Sequence, residues 1–193
     1  MYRYYSTQRP VAPGTYPGRP ATLGNYGSNG TDIDYLGHVW GWLDYEDELT
    51  AEQADAYELK PAGQTPMYYA ISETTARQAK RMNSFSDYVE GSATAGYRVE
   101  VDRAAYLAYR QKRRIDPMYH DRVDSLLDTY ARKLAENLNA YYSIQTRCPS
   151  ILIAGGSNFP VAKKEKQNRA ADRNMQEWKD IQGILDKIRS TGK

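Results

Sequence analysis

The chain has 193 residues, a hydrophobic fraction of 40% and a formal net charge of +2, which suit one ordinary domain or two small ones. Its single cysteine excludes an internal disulfide framework, and with only two histidines no Cys/His zinc cluster can form. No run of about 18 apolar residues and no N-terminal signal segment is recognisable, so we expect a soluble, cytoplasmic protein that does not contact a membrane.

The charge is unevenly distributed along the chain. Residues 1–61 carry four basic and nine acidic groups, a net −5, whereas the remainder carries 22 basic and 15 acidic groups, a net +7. The chain also has 18 tyrosines but only two phenylalanines. Tyrosine suits surfaces that are half apolar and half hydrogen-bonding, which favours contact with a macromolecule. The alternative, that many of these rings only cover the flanks of helices, stays open.

The N-terminal segment predicts β-structure. A short strand begins at Tyr2, and the residues from Pro10 to Gly30 are too rich in proline and glycine for a helix. Alternating side chains from His38 to Tyr45 predict a further strand, with residues 32–36 as its hairpin partner or as a neighbouring strand.

A short helix is expected next. Thr50 and Gln53 have the spacing of a capping box, which opens a helix that continues to about Tyr57. Residues 1–61 therefore predict a small β-rich module with one short helix. A module of this size is marginally stable alone, so we expect it to lean on the rest of the chain or on a partner.

The second predicted domain, residues 62–193, is helical. A segment rich in proline and glycine, Pro61 to Pro66, marks the boundary. Helices are predicted over residues 72–82, 93–115, 117–142 and 162–189. Residues 143–161 are irregular and hold either a short strand or an ordered loop. The fold class is therefore α+β, with the β-rich module followed by an antiparallel bundle of three long helices.

The helix over residues 117–142 is the organising element of the predicted bundle. Asp116 caps it, and Pro117 occupies the first helical position, where its missing N–H costs nothing. Its apolar side chains recur at helical spacing: Tyr119, Val123, Leu126, Leu127, Tyr130, Leu134, Leu138 and Tyr141. On the helix before it, the predicted face is Tyr97, Val101, Ala104, Ala105, Ala108 and Ile115. On the last helix, the inward set is Ala171, Met175, Trp178, Ile181, Leu185 and Ile188, and we expect the buried face to widen to Ile184 toward the C-terminus.

Basic side chains lie on the outer faces of two of these helices, where they can follow phosphates. The candidates for nucleic-acid or phosphate contact are Arg103, Arg110, Arg114, Lys163, Lys164, Lys166, Arg169 and Arg173. The lysines start the last helix, where positive charge opposes the helix dipole, and the loop 155–158 could offer N–H groups to the same anion. The alternative is a pair of solvated faces, because Glu100, Asp172 and Glu177 interrupt the basic residues. No Walker spacing is present, so nucleotide hydrolysis is not predicted.

Acidic side chains form a run without any basic residue between Leu43 and Leu59. These candidates for contact with a protein partner are Asp44, Glu46, Asp47, Glu48, Glu52, Asp55 and Glu58. Acids at this density repel one another. They are tolerated if they face water, pair with the basic half of the chain or meet a basic partner, and all three alternatives stay open.

Catalytic and metal-binding patterns are weak. Asp116, His120, Asp124 and Asp128 are spaced by four, but at 100° per residue they drift from the apolar flank toward solvent, which argues against a metal site. Neither histidine accompanies a nucleophile motif, and no glycosidase, protease or kinase signature appears. We therefore expect a non-enzymatic protein without a cofactor.

Several motifs resemble proteins of mobile genetic elements. Residues 4–10, 14–17, 40–41, 45 and 57–59 resemble small proteins carried on plasmids, phages and integrative elements of gut Firmicutes. Residues 117–120, 125–134 and 158–168 resemble a helical module found in proteins of the same elements. Some proteins of this type and size are similar to type II-A anti-CRISPR proteins, which bind Cas9 and block its engagement with target DNA. The resemblance informs function but assigns no site residues.

Charge polarity, tyrosine-rich surfaces and the resemblance together predict an inhibitor of a host defence nuclease, encoded by a mobile element. The expected partner is Cas9 with its guide RNA, contacted through its basic DNA-handling surface and the nucleic acid beside it. The alternative is an accessory DNA- or RNA-binding protein that uses the basic helices directly. A third hypothesis is a subunit or scaffold of a larger assembly.

Overall fold

The structure, a computed structural model, describes residues 1–157 and 159–192 of the chain. It confirms the predicted α+β class: strands within the first 64 residues form two small antiparallel sheets, and most of the remainder is helical. Among the residues that the structure describes, no helix is both long enough and apolar enough to cross a membrane.

The main sheet has four antiparallel strands. Their order across the sheet is β2 (Thr22–Asn25), β5 (Gly41–Tyr45), β1 (Tyr2–Ser6) and β6 (Leu59–Gln64). β2 lies in the glycine- and proline-rich segment and was not predicted. It can pair there because Gly24 has no side chain: a Cβ at this position would lie 2.4 Å from the ring of Trp42.

The alternation of side chains in β1 sends neighbouring tyrosines to opposite faces of the sheet. Tyr4 packs into a core within the N-terminal module, with Val11, Leu43, Tyr45, Ala54 and Leu59. Tyr5 is fully buried on the other face, with Ile33, Val39, Ala62 and the half-buried Tyr106 of a long helix. The central strand therefore belongs to two cores, and one of them includes the helical part.

The strand predicted over residues 38–45 is divided into two. β4 (Gly37–Val39) pairs with β3 (Thr31–Ile33) in a separate hairpin, and β5 joins the main sheet. The hairpin partner predicted over residues 32–36 is therefore confirmed only for the residues that it shares with β3. Trp40 separates them, and its N–H donates to the carbonyl of Ser6 at 2.8 Å. The chain therefore changes sheets at Trp40.

α1 (Ala51–Ala56) confirms the predicted capping box, since Thr50 and Gln53 exchange side-chain and backbone hydrogen bonds. The proline-rich segment after it contains a strand, β6, that sequence patterns did not predict. Pro61 is accepted there because β6 lies at the edge of the sheet. The predicted domain boundary at residue 61 falls within this strand, and the division into residues 1–61 and 62–193 stays a prediction.

The four predicted helices are confirmed to within three residues at each end. They correspond to α2 (Glu73–Asn83), α3 (Ser92–Lys112), α4 (His120–Gln145) and α6 (Val161–Ser190), and one further short helix, α5 (Ile151–Ala154), was not predicted. A 3₁₀ turn over Pro117–Tyr119 precedes α4, with Asp116 as the predicted cap. The irregular segment after α4 holds no strand in the described residues; its apolar run instead forms the single turn α5, which ends at Gly155 with a φ of 78°.

α4 packs against α2, α3 and α6 and thus holds the helical part together. The middle of its predicted face is confirmed, because Val123, Tyr130 and Leu134 are buried. Tyr119 and Tyr141, at the two ends of that face, are 36% and 42% exposed. Only the central turns of the predicted face are therefore core.

The buried face of α6 confirms the prediction near the C-terminus, where Ile181, Ile184 and Ile188 are buried, but differs from it in the middle of the helix. Met175 and Trp178 are 54% and 40% exposed, and the buried residues are Gln167, Ala170, Asn174, Ile181, Ile184 and Ile188. The physical reason is a pair of polar contacts between helices. The Nδ2 of Asn174 donates to the carbonyl of Asn137 at 3.0 Å, and the Nδ2 of Asn137 donates to the carbonyl of Asn174 at 2.9 Å. A pattern that counts only apolar residues misses this face.

The N-terminus of α3 is capped by a side chain from another helix. Its own cap residue, Gly91, has no side chain, so Glu73 at the start of α2 accepts the N–H groups of Gly91 at 3.0 Å and of Thr94 at 2.7 Å. Burial acts to raise the pKa of the Glu73 carboxyl, but hydrogen bonds from Thr94, Tyr88 and Gly91 outweigh it and lower the pKa.

We expect Glu73→Ala to lower the free energy of unfolding by about 1–2 kcal/mol at pH 7, because α3 loses its cap. Since the pKa of Glu73 is lowered on folding, this contribution is present above the ordinary pKa of about 4.3 and is lost as the pH falls through the folded-state pKa. Urea denaturation at pH 7 and pH 3 measures both. Glu165→Ala, at an exposed position of α6, is the control. Equal losses in the two variants at pH 7 would contradict this role.

Candidate functional site

The predicted acidic residues do not all lie on the surface. Asp44, in β5, is only 2% exposed, because its carboxylate pairs with Arg3 inside the protein. It therefore cannot meet a partner, which corrects its assignment as a contact residue. Glu58 is exposed but forms an ion pair with Arg9.

The remaining five acids form what we call the acidic surface: Glu46, Asp47, Glu48, Glu52 and Asp55. All five are exposed, and within the described residues none forms an ion pair. Three of them, together with Gln53 of α1, line a groove of about 450 Å³. Arg19 is the one basic residue among the described residues that line this groove.

The three arginines predicted to lie on the outer face of α3, Arg103, Arg110 and Arg114, differ in their surroundings. Arg114 is exposed and follows the end of the helix. Arg103 is turned toward the β3–β4 hairpin: its guanidinium donates to the carbonyl of Asp32 at 2.9 Å and to Thr31 Oγ1 at 3.1 Å, and it pairs with Glu100 at 2.7 Å. These bonds hold the hairpin against the helix, so Arg103 is occupied within the protein. Arg110 lies beneath the ring of Tyr35.

The predicted basic residues of α6 are more available. Lys163, Lys166, Arg169 and Arg173 are exposed, and none forms an ion pair within the described part of the chain. Lys164 is half-buried and donates to Gln167 at 2.7 Å. Asn158, which belongs to the predicted anion-binding loop, lies outside the described residues. Anion contact at this helix start therefore stays a prediction.

A cleft of about 800 Å³ opens between the main sheet and α3, and sequence reasoning missed it. Its walls include the aromatic rings of Tyr26, Trp42 and Tyr68. Arg98 lies at this wall with its guanidinium carbon 5.0 Å from the centre of the Tyr68 ring. A concave, largely apolar site of this size can hold a small molecule.

Buried charges form the floor of the cleft. The Nε and Nη2 atoms of Arg3 contact both carboxylate oxygens of Asp44 at 2.7 and 2.9 Å, and Nη1 contacts Asp102 at 2.7 Å. The hydroxyls of Tyr26 and Tyr68 donate to Asp102, and Thr22 and Thr65 donate to Asp44 at 2.7 and 2.8 Å. We call this set the Arg3 network. It joins β1, β2 and β5 to α3.

The two carboxyls of the network differ electrostatically. Burial acts to raise the pKa of Asp44, but the hydrogen bonds and charge of Arg3 outweigh it and hold the pKa below its ordinary value. At Asp102 burial dominates and raises the pKa despite the charge of Arg3. Burial also raises the pKa of the Tyr26 and Tyr68 phenols, so both keep the proton that they donate.

The hydrogen bonds of the Arg3 network give it a structural role. Each oxygen of Asp44 and Asp102 accepts at least one hydrogen bond from Arg3, a tyrosine or a threonine, so both carboxylates are engaged within the protein. No local signal in the sequence marks this network. Asp102 follows the predicted core residue Val101, as acids often do on amphipathic helices, and its partner Arg3 is 99 residues away.

The N-terminal third of the chain is similar to a known protein family. Residues 1–64 match the model of a family described as defence against restriction A C-terminal. The match ends with the last residue of β6, so it includes the whole main sheet. Comparisons with curated proteins and with solved structures gave no match. The family description agrees with the coarser part of the predicted function, action against a host defence, and carries no link to Cas9.

Proposed function

We propose that the protein serves a mobile element by binding and inhibiting a host defence nuclease in the cytoplasm, without catalysis of its own. One observation carries the proposal. The segment that matches the defence-against-restriction family also carries the acidic surface, five exposed carboxylates that form no ion pair within the described residues.

The physical argument is electrostatic complementarity. A nuclease binds DNA through basic side chains that neutralise phosphates, so an acidic protein surface can occupy the same side chains. Opposite charges raise the rate of association and exclude partners of the wrong sign. The acidic surface is held by ordered elements, because Glu46 follows β5 directly and the capping box fixes the start of α1. Tyr57, which is 37% exposed beside α1, is an aromatic anchor of the kind that stabilises interfaces.

Cas9 with its guide RNA is the specific target that we propose, and a restriction endonuclease is the other arm of the test. The Cas9 proposal rests on the resemblance to type II-A anti-CRISPR proteins. The match to a defence-against-restriction family supports the wider class of DNA-cleaving defence enzymes.

The test is a cleavage assay with labelled linear DNA. Guide-loaded Cas9 and a panel of restriction endonucleases from the host are each incubated with increasing amounts of the protein. We expect one of them to lose activity, with an inhibitory concentration that follows the nuclease concentration and not the DNA concentration. Full cleavage by Cas9 at excess protein would exclude Cas9. Full cleavage by every enzyme, together with unchanged restriction of incoming plasmids in cells that express the protein, would exclude the proposed function.

A second function, direct binding of DNA or RNA, is favoured by one observation. The four exposed basic residues of α6, Lys163, Lys166, Arg169 and Arg173, are unpaired within the described residues. A direct binder shifts labelled duplex on a gel, with an affinity that falls steeply as the salt concentration rises. In that case inhibition in the cleavage assay would follow the DNA concentration.

A further inference from the structure

A small notch lies where the C-terminal ends of α3 and α6 meet the turn between β3 and β4. Its volume is about 140 Å³, and it is lined by Tyr35, Leu107, Arg110, Gln111, Arg114 and Arg189. Arg110 and Arg189 lie in the last turns of their helices, and Arg114 follows the end of α3. Three arginines at or just beyond the ends of two helices therefore border one cavity.

The charge of the notch is positive after its neighbours are counted. Each helix C-terminus contributes a partial charge of about −0.5. Arg189 also pairs with the exposed Asp186 at 2.7 Å. These contributions together offset about two of the three positive charges, which leaves an excess of about one. Arg110 and Arg114 form no ion pair within the described residues.

Arg110 has an unsatisfied donor. Its guanidinium carbon lies 3.8 Å from the centre of the Tyr35 ring, which covers one face of the planar group. Its Nη1 atom is buried and has no hydrogen-bond partner among the described residues. Buried donors are nearly always paired, and guanidinium groups match the oxygens of phosphate in geometry and charge.

Tyr35 is held over Arg110 by an unusual backbone conformation. The N–H of Leu36 donates to the carbonyl of Ile33 at 3.0 Å, which closes the turn, and Tyr35 within that turn has a φ of 69°. A bulky residue rarely adopts this left-handed conformation, which suits glycine or asparagine. Such strain concentrates at functional positions.

We propose that this notch binds a phosphate group, which Arg110, Arg114 and Arg189 contact while Tyr35 keeps Arg110 in place. The volume of the notch is well below the roughly 300 Å³ of the smallest sites that hold whole small molecules. The occupant is therefore a single phosphate, either free or at the end of a nucleotide or nucleic acid. This proposal uses neither the acidic surface nor a nuclease, so it stands apart from the proposed function.

The test is isothermal titration calorimetry on the full chain at constant ionic strength, with chloride as the balancing anion. The probes are inorganic phosphate and a dinucleotide with either a 5′-phosphate or a 5′-hydroxyl. We expect saturable binding either of inorganic phosphate or of the 5′-phosphorylated dinucleotide, and no binding of the 5′-hydroxyl dinucleotide. Comparison of the two phosphate probes separates a site for free phosphate from a site for a phosphate ester. Arg114→Gln, at an exposed position, should weaken binding about tenfold or more.

Two further variants keep the result interpretable. Arg147→Gln removes an exposed arginine that follows the C-terminal end of α4 and does not line the notch, so it should leave the affinity unchanged. Tyr35→Asn suits the positive φ, so the chain should fold, and it should weaken binding because Arg110 loses the ring that holds it. Absence of saturable binding by every probe, or an equal loss in Arg147→Gln and Arg114→Gln, would overturn the proposal.

Discussion

Arg3→Met is expected to lower the free energy of unfolding by about 3–5 kcal/mol, because it leaves the carboxylates of Asp44 and Asp102 buried without their cation. Domains of this kind are stable by about 5–15 kcal/mol in total, so the variant should be close to unfolding at 37 °C. The measurement is urea denaturation at pH 7, followed by far-UV circular dichroism.

The control for this prediction is Arg19→Met, which removes an exposed arginine from the same N-terminal segment and should change stability by less than about 0.5 kcal/mol. A second check is the triple variant Arg3→Met, Asp44→Asn and Asp102→Asn, which removes the buried charges together. It should recover part of the loss, because the largest cost is the uncompensated charge. A loss in Arg3→Met no larger than that in Arg19→Met would show that the network does not stabilise the fold.

Removal of the acidic surface should raise the inhibitory concentration against the sensitive nuclease roughly 10- to 100-fold. This expectation treats the five exposed charges as contributing up to about 0.5 kcal/mol each. The variant combines Glu46→Gln, Asp47→Asn, Glu48→Gln, Glu52→Gln and Asp55→Asn. Its fold should be unaffected, because all five side chains are exposed. The difference from the wild type should shrink as the salt concentration rises, since salt screens surface charge.

A matched control separates position from net charge. Five exposed acids of the helical part are neutralised instead, through Asp87→Asn, Asp121→Asn, Glu165→Gln, Asp172→Asn and Asp180→Asn. Both variants change the net charge by the same amount. We expect the control to inhibit like the wild type, and equal weakening in the two variants would mean that the acidic surface is not the contact.

The helices were predictable because their signals are local. Caps such as Asp116 and Thr50 act within three residues, and the apolar spacing of α4 repeats within one element. The buried face in the middle of α6 was predicted wrongly because Asn174 is buried through a contact with Asn137, and no apolar pattern marks a polar residue as core. β2 and β6 were not predicted, because glycine and proline end helices but are also accepted in some strands. Glycine is accepted in β2 where the ring of Trp42 approaches closely, and proline is accepted in β6 because that strand lies at the edge of the sheet.

The cleft was not predictable for a related reason. Arg3 meets Asp44 across 41 residues of sequence and Asp102 across 99, so no local spacing connects them. Asp44 stood in an acidic run and was interpreted as surface, although in β5 it alternates to the side that faces Arg3. Glu46, Asp47, Glu48, Glu52 and Asp55 are exposed, since they follow the strand or lie on α1, and their contact with a protein partner stays a prediction.

The two-sided burial of β1 limits how the matched segment can be reused. A fragment that ended at Gln64 would keep Arg3 and Asp44 but lose Asp102, and it would expose the ring of Tyr5. In this chain the sheet therefore depends on a neighbouring helix that brings an acid, Asp102, to Arg3 and an aromatic ring, Tyr106, to Tyr5. The matched segment and α3 thus form one cooperative unit, because Asp102 and Tyr106 lie one helical turn apart and face the same side of the sheet.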